Sequence, residues 1–297
     1  MKLDIKSPAN QVAIFFLLLG INIIIFSFFA SLTATMFFGS DNLISAQALR
    51  YINSITQIGI FGLTAFEFAF LVNDNKPMPY LQIQFNVPVS NYLFLILIII
   101  TSIPALSHII AWNEQIKLPQ FMSSIEALMR EKEDYAAKIS LLMMSGDKTW
   151  ILFVNLFVMG IIPAVCEELI FRGVIITWFK NIFRNVHVSV FVSALIFSAI
   201  HFQFYGFVPR FLLGLYFGYL FIWTGSLLPC IIAHFINNGI TVIVTYLFNK
   251  QLINTEYNDF GNVGNNYFLI IMSVILTSVL IYFLYRERKI TDVSDEQ

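Results

Sequence analysis

Residues 164–172 read Ala-Val-Cys-Glu-Glu-Leu-Ile-Phe-Arg, two adjacent acids and an arginine in an otherwise apolar stretch. Glu168 and Arg172 stand four apart with the acid first, the favourable order for an ion pair along a helix. Glu167 points about 100° away, because an α-helix turns by that much per residue. It cannot readily share Arg172 and needs another partner. Two histidines are available: His201, in Phe197-Ser198-Ala199-Ile200-His201, and His234, in His234-Phe235-Ile236-Asn237-Asn238. Asn238 lies one helical turn beyond His234 and shares its face. An acid, two histidines and an amide suit hydrolysis by an activated water. A carboxylate and a neutral imidazole can take a proton from water. A second imidazole and an amide NH₂ can stabilise the oxyanion that results. No Gly-x-Ser-x-Gly elbow and no His-Glu-x-x-His motif competes for the chemistry.

These groups sit in a chain of 297 residues that is 58% hydrophobic and only 12% charged. Its mean hydropathy is +0.77. A soluble domain carries about 25% charge, and so little polar surface could not cover a fold in water. The apolar residues come in long uncharged runs. About 20 such residues cross a bilayer as a helix, the element that satisfies its own backbone hydrogen bonds there. The runs predict an all-α, polytopic membrane protein with about eight transmembrane helices. They fall near 11–38, 51–73, 91–112, 150–180, 188–204, 207–224, 227–248 and 267–285. The chain then divides into a three-span region (1–112), a polar insertion (113–149), a core holding the acids and histidines (150–248), and a last span with its tail (249–297). The first run is too long for a signal-peptide core. A net charge of −1, from 17 basic and 18 acidic residues, gives no electrostatic case for nucleic acid. Cys166 and Cys230 lie in apolar stretches and read as packing residues, not as a disulfide.

Within the insertion, Ser123 and Glu126 form a capping-box pattern. Ile125, Leu128, Met129, Tyr135, Ile139, Leu142 and Met143 recur at helical spacing, opposite Glu131, Lys132, Glu133 and Asp134. This predicts an amphipathic helix on the membrane surface, with a lid or substrate-docking element as the functional alternative. Eight spans put both termini on one side. Arg286-Glu287-Arg288-Lys289 after the last span marks that side as cytoplasmic, although the basic residues outside the spans divide eight against eight. Pro163 predicts a fresh helical segment, which puts Glu167 near a helix start and at the depth of His201. On these boundaries His234 lies deeper, and Asn238 nearer their level. Glu67 falls within reach of the interface, His108 in the interior and His187 at an interface. Gly214 and Gly218 form a small-xxx-small pair for close helix packing. No internal repeat suggests a transporter built from two similar halves.

Taken in order, Glu167-Glu168-x-x-x-Arg172, Phe197-x-x-x-His201 and His234-x-x-x-Asn238 resemble the motifs of the type II CAAX prenyl endopeptidase and bacteriocin-processing (CPBP, or Abi) family. The resemblance covers about residues 150–248, with each motif on its own apolar span. It implies an eight-helix intramembrane endopeptidase of the glutamic type, without a cofactor, acting on a membrane-associated protein or peptide in the lipid bilayer. It further implies that Glu167 and His201 activate the water and that His234 and Asn238 form the oxyanion hole. Glu168 and Arg172 would support the site, with Phe197 packed around it. A second reading of such families makes Glu167, His201 and His234 zinc ligands. Two histidines and a carboxylate do make catalytic zinc sites, but Asn238 is a poor zinc ligand and a good oxyanion donor. Two further alternatives come from other classes: a non-catalytic membrane scaffold or immunity protein, and a proton-coupled transporter with Glu167 as relay.

Overall fold

Ser7 and Pro8 open the first helix, α1 (Pro8–Phe38), in the computed structural model, which describes residues 7–255, 259–264 and 266–294. The Ser7 hydroxyl accepts from the Asn10 N–H at 3.3 Å, and proline suits a first turn, where its missing N–H would go unused. Gly39, at φ 81°, ends the helix. There follow α2 (Ala46–Val72), α3 (Val89–Glu114), α4 (Ser123–Met144), α5 (Thr149–Phe183), α6 (Val186–Ala199), α7 (Phe207–Thr224), α8 (Leu227–Asn249) and α9 (Tyr267–Ser294). The linker prolines behave as their chemistry dictates: Pro77–Tyr80 is a single helical turn, and Pro88 stands just before α3. Among the described residues, seven helices, all but α4 and α6, are long and apolar enough to cross a bilayer. Ile24, Phe28 and Met36 on α1 and Phe268 and Ile271 on α9 are exposed. Such a surface belongs against hydrocarbon. The chain is an all-α, polytopic integral membrane protein. Lys2 and Lys6, which enter the charge count, lie outside the described residues.

The expected fifth span, 188–204, is shorter than its hydrophobicity suggested. α6 holds 14 residues, about 21 Å at 1.5 Å per residue, against a hydrocarbon core about 30 Å thick. The helix stops at Ala199, and Phe202 takes a left-handed backbone at φ 52°. The His201 ring, through Nδ1, holds the Phe197 carbonyl at 2.7 Å, the one its own N–H would have taken in a continuing helix. His201 therefore lies in a turn beyond α6, not inside it.

Pro163 sits in the first turn of a fresh α-helical segment, Ile162–Glu168, but that segment continues the helix before it without a break. α5 runs unbroken through it, because its turns widen to π geometry at Leu156–Ile161 and again at Leu169–Ile176. α2 does the same at Gln57–Leu63. A proline cannot donate to the carbonyl four residues back, and π segments recur at functional sites. α2 and α5 approach closely at Gly62, where a Cβ would stand 3.1 Å from Cys166 Sγ. Cys166 and Cys230 are both buried and free, as their packing role requires.

Two apolar cores flank the middle of α5. One gathers Phe15, Phe68, Ile170, Phe171, Val174 and Phe197 from α1, α2, α5 and α6. The other gathers Leu95, Ile98, Phe217, Leu220, Ala233 and Leu284 from α3, α7, α8 and α9. Glu67 is bonded within the bundle: Asn22 of α1 donates to its carboxylate and to Thr64 Oγ1, each at 2.9 Å. α4 forms where expected, but the capping box does not, since Ser123 lies inside the helix and no side chain caps it. Glu126 instead accepts from the Leu118 N–H at 2.9 Å and pairs with Arg130 at 2.9 Å. The far end of α4 is pinned by the buried Arg50, which donates to the Met143 and Ser145 carbonyls at 2.7 Å each. A cation at a helix C-terminus is favourable.

Gly214 and Gly218 let α6 close on α7. A Cβ on Gly214 would stand 3.1 Å from Ala194 Cα, and one on Gly218 would stand 2.7 Å from Val190 Cγ1. Gly214→Val should therefore overpack this contact by about 1–3 kcal/mol. Thermal unfolding of the purified protein in detergent would show a lowered Tm. A Tm equal to wild type would refute the contact.

Candidate active site

Arg172 and Glu168 are 1% and 0% exposed, yet both carry charge. Arg172 Nη1 donates to Glu168 Oε1 at 2.8 Å, and Nη2 donates to the Gly214 carbonyl at 3.1 Å. The guanidinium carbon lies 4.8 Å from the Phe197 ring and 5.3 Å from the Phe217 ring. Aromatic faces attract a cation that water cannot reach. Phe197 thus packs on the arginine, as the sequence reading placed it around the site. The same Glu168 oxygen accepts from His234 Nδ1 at 2.8 Å. Phe217 stacks on the His234 ring with centroids 5.3 Å apart and planes at 21°. Glu168 therefore ties α5 to α8, while its partner Arg172 ties α5 to α7.

Glu167 faces elsewhere, as the 100° turn requires. No bond joins it to Arg172. Gln57, on the π segment of α2, donates to Glu167 Oε1 at 3.3 Å. The other oxygen, Oε2, stands 3.9 Å from His234 Nε2. At that separation the two atoms are not hydrogen-bonded to each other. The expected depth order is corrected here: His234 lies level with both glutamates and touches them. The misplacement came from counting turns from assumed span ends, which does not fix how packed helices are registered against each other.

His201 stands across the same centre. Glu167, Arg210 and His234 are the charged or titratable groups that bear electrostatically on its ring, and its edge meets the Phe197 ring at 5.3 Å between centroids. The turn that carries it would expose backbone groups at membrane depth, where each unsatisfied group is costly. Side chains answer them. Asn113 donates to the Phe204 carbonyl at 3.2 Å and accepts from the Val208 N–H at 3.0 Å. Glu133 of α4 accepts from the Tyr205 N–H at 3.1 Å. Arg210 donates to Gln203 Oε1 at 2.6 Å and pairs with Glu133 at 3.9 Å, and Arg130 lies 4.3 Å over the Tyr205 ring. Burial pushes the Glu133 carboxyl up, against the opposing pull of Arg210 and the Tyr205 N–H.

Asn238 is half-buried and donates through Nδ2 to the Met159 carbonyl at 3.4 Å. That carbonyl is the one Pro163, four residues on, cannot serve. Asn237 Nδ2 donates to Asn238 Oδ1 at 3.3 Å, so the amide of Asn238 is oriented with its NH₂ toward α5. Among the described residues, no three His, Cys, Asp or Glu side chains are grouped so that they could hold a metal ion. The trio Glu167, His201 and His234 does not fit zinc as it stands.

Sequence reasoning missed Gln57 and Phe217 at the centre, and Asn113, Arg210 and the clamping role of Glu133 at the turn that carries His201. Gln57 shares its span with Asn53, and nothing in the sequence sets it apart.

Residues 149–240 match the family model described as type II CAAX prenyl endopeptidase Rce1-like. The match spans all three motifs, and it bears out the resemblance drawn from them. No curated protein and no solved structure matches the chain at the same standard.

Removing one partner of a buried ion pair leaves an uncompensated charge and costs about 3–5 kcal/mol. Arg172→Ala should lower stability by that order in denaturant unfolding, and Glu168→Gln in the same chain should restore part of the loss. Additive losses would refute the pairing. Separately, Glu133→Ala should speed amide exchange across residues 201–206, while Glu133→Gln, which keeps an acceptor for Tyr205, should have a smaller effect. Unchanged exchange in the alanine variant would show that α4 does not hold the His201 turn.

Proposed function

We propose that this chain is an intramembrane endopeptidase of the glutamic type, which hydrolyses a peptide bond of a membrane-associated protein or peptide. The observation that carries the reading is the separation of two adjacent acids. Arg172 takes Glu168, leaving Glu167 with a weak amide contact and an oxygen facing the histidines. A buried carboxylate with spare lone pairs beside an imidazole is a proton acceptor. The family match over this segment supports the same class of reaction.

In the reaction, a water held between Glu167 and His201 loses a proton to Glu167 as its oxygen attacks the substrate carbonyl carbon. The tetrahedral intermediate places its oxyanion against His234 and the Asn238 NH₂. Collapse breaks the C–N bond, and the proton passes from Glu167 to the leaving amine. His234 donates Nδ1–H to Glu168, so its role at the oxyanion falls to Nε2 and requires a proton there. With α6 counted as a span, both termini lie on one side of a cell membrane, and Arg286, Arg288 and Lys289 toward the end of α9 favour the cytoplasm for that side.

Glu167→Gln should abolish cleavage of a membrane substrate by the purified protein while its Tm stays near wild type. Loss of a general base lowers rates by about 10²- to 10⁴-fold, and loss of one oxyanion donor in Asn238→Ala by about 10²- to 10³-fold. Wild-type cleavage by Glu167→Gln would sink the proposal. Persistence of a protective, non-proteolytic phenotype in Glu167→Gln cells would favour the scaffold or immunity reading. Activity that survives exhaustive chelation would dispose of the zinc version.

A further inference from the structure

A cavity of about 370 Å³ lies beside α8, enclosed by α3, α7, α8 and α9. Ile99 and Leu106, Tyr216, Asn237 and Thr241, and Ser278 represent its four walls. No residue of α5 lines it, and neither do His201, His234 or Asn238. It is separate from the centre described above.

Three properties indicate its ligand. The walls are mainly apolar, and an apolar cavity of about 150 Å³ already stays dry and takes up benzene. Leu212 and Val274 line the cavity and are also exposed on membrane-crossing helices, so it opens sideways toward hydrocarbon. Two hydroxyls are unspent: Thr241 and Ser278 line the cavity, and neither side chain makes a hydrogen bond among the described residues. The hydroxyls of Ser102, Ser107 and Thr277 are already bonded, to the Ile99 and Phe260 carbonyls and to Thr101. A hydroxyl without a partner at hydrocarbon depth is costly, and an acceptor oxygen on an entering molecule would relieve it.

We propose that this cavity binds a fatty acyl group, a hydrocarbon chain bearing an acceptor oxygen, drawn from a free fatty acid or from a bilayer phospholipid. Membrane-crossing walls and a lateral mouth put both sources within reach. A substrate bond held at Glu167 would sit against α5, and no residue of α5 lines the cavity. Asn237 gives the site a second consequence. It lines the cavity and bonds Asn238, so an occupant would bear on the orientation of that amide. This consequence rests on the protease reading; the binding does not.

The test uses the full chain in two arms. In one, detergent-solubilised protein is exposed to palmitic acid carrying a diazirine in its chain. In the other, the protein sits in phosphatidylcholine vesicles with the same diazirine in one acyl chain. After irradiation, mass spectrometry should place the label on residues 98–110, 237–241 and 274–281, and the arm that labels identifies the source. Unlabelled palmitic acid or phosphatidylcholine should compete saturably. Thr241→Trp and Ser278→Phe, which fill the cavity, should cut labelling several-fold, and the milder Thr241→Leu should cut it less. Glu167→Gln should leave labelling unchanged while it removes proteolysis, so the two proposals fail separately. Label spread evenly over the exposed faces of α1 and α9, without saturation in wild type, would overturn the site. Label that disappears in Glu167→Gln would assign the cavity to the substrate path instead.

Discussion

Arg172 is 1% exposed in a bundle of membrane-crossing helices, and Glu168 answers its charge at 2.8 Å. Neither ion would be tolerated alone at that depth. Their pairing is more than local neutralisation, because each partner also bonds a different helix. Arg172 reaches the Gly214 carbonyl on α7, and Glu168 reaches His234 on α8. Three helices are thereby registered against one ion pair. The aromatic rings of Phe197 and Phe217 close over the guanidinium and exclude water from it. Glu167 is the residue left over by this arrangement. Its freedom follows from its neighbour being taken.

The shortness of α6 is the second constraint. A full-length span would have carried His201 within a regular helix, its N–H bonded to the Phe197 carbonyl. Ending at Ala199 instead turns the chain inside the protein and frees the ring to bear on Glu167. Backbone exposed by such a turn has no water to satisfy it. Asn113 at the end of α3 and Glu133 on α4 supply the missing partners. The amphipathic helix, read from its periodicity as a surface element, is in this way coupled to the position of a candidate functional side chain. That favours a positioning role for α4 over a bland interfacial one.

Much of this was legible in residue order. The division of Glu167 from Glu168 followed from 100° per residue, and the structure keeps it. The close approach at Gly214 and Gly218 followed from their spacing. What could not be read were the places where the helices depart from regularity. Hydropathy carried the fifth span through Phe204, because no charge or glycine marks the stop at Ala199. At the break, short-range side-chain bonds take over from the helix, His201 to the Phe197 carbonyl and Ser198 to the Phe207 carbonyl, and hydropathy does not record them. Counting turns from assumed span ends set His234 too deep, because the register of α8 against α5 is fixed by the bonds between them. Gln57 was silent for a related reason: an amide in a span becomes meaningful only once the facing acid is known.

The charges at the centre also bear on how hydrolysis could proceed in so dry a place. Two glutamates and one arginine meet at the centre, with His234 between the acids. Around it, Arg210 is matched by Glu133. In the proposed attack, a proton moves from water to Glu167 while the negative charge moves to the substrate oxygen. No net charge is created, and the charge that moves passes from one prearranged set of partners to another. A low-dielectric site strengthens such interactions and penalises new isolated ions. Water activation by a carboxylate already present as an anion meets both conditions. An attack that required a fresh, unpaired hydroxide would meet neither. The geometry therefore favours the acid that Arg172 leaves free, and for the same reason that Glu168, held by Arg172 and His234, is an unsuitable base.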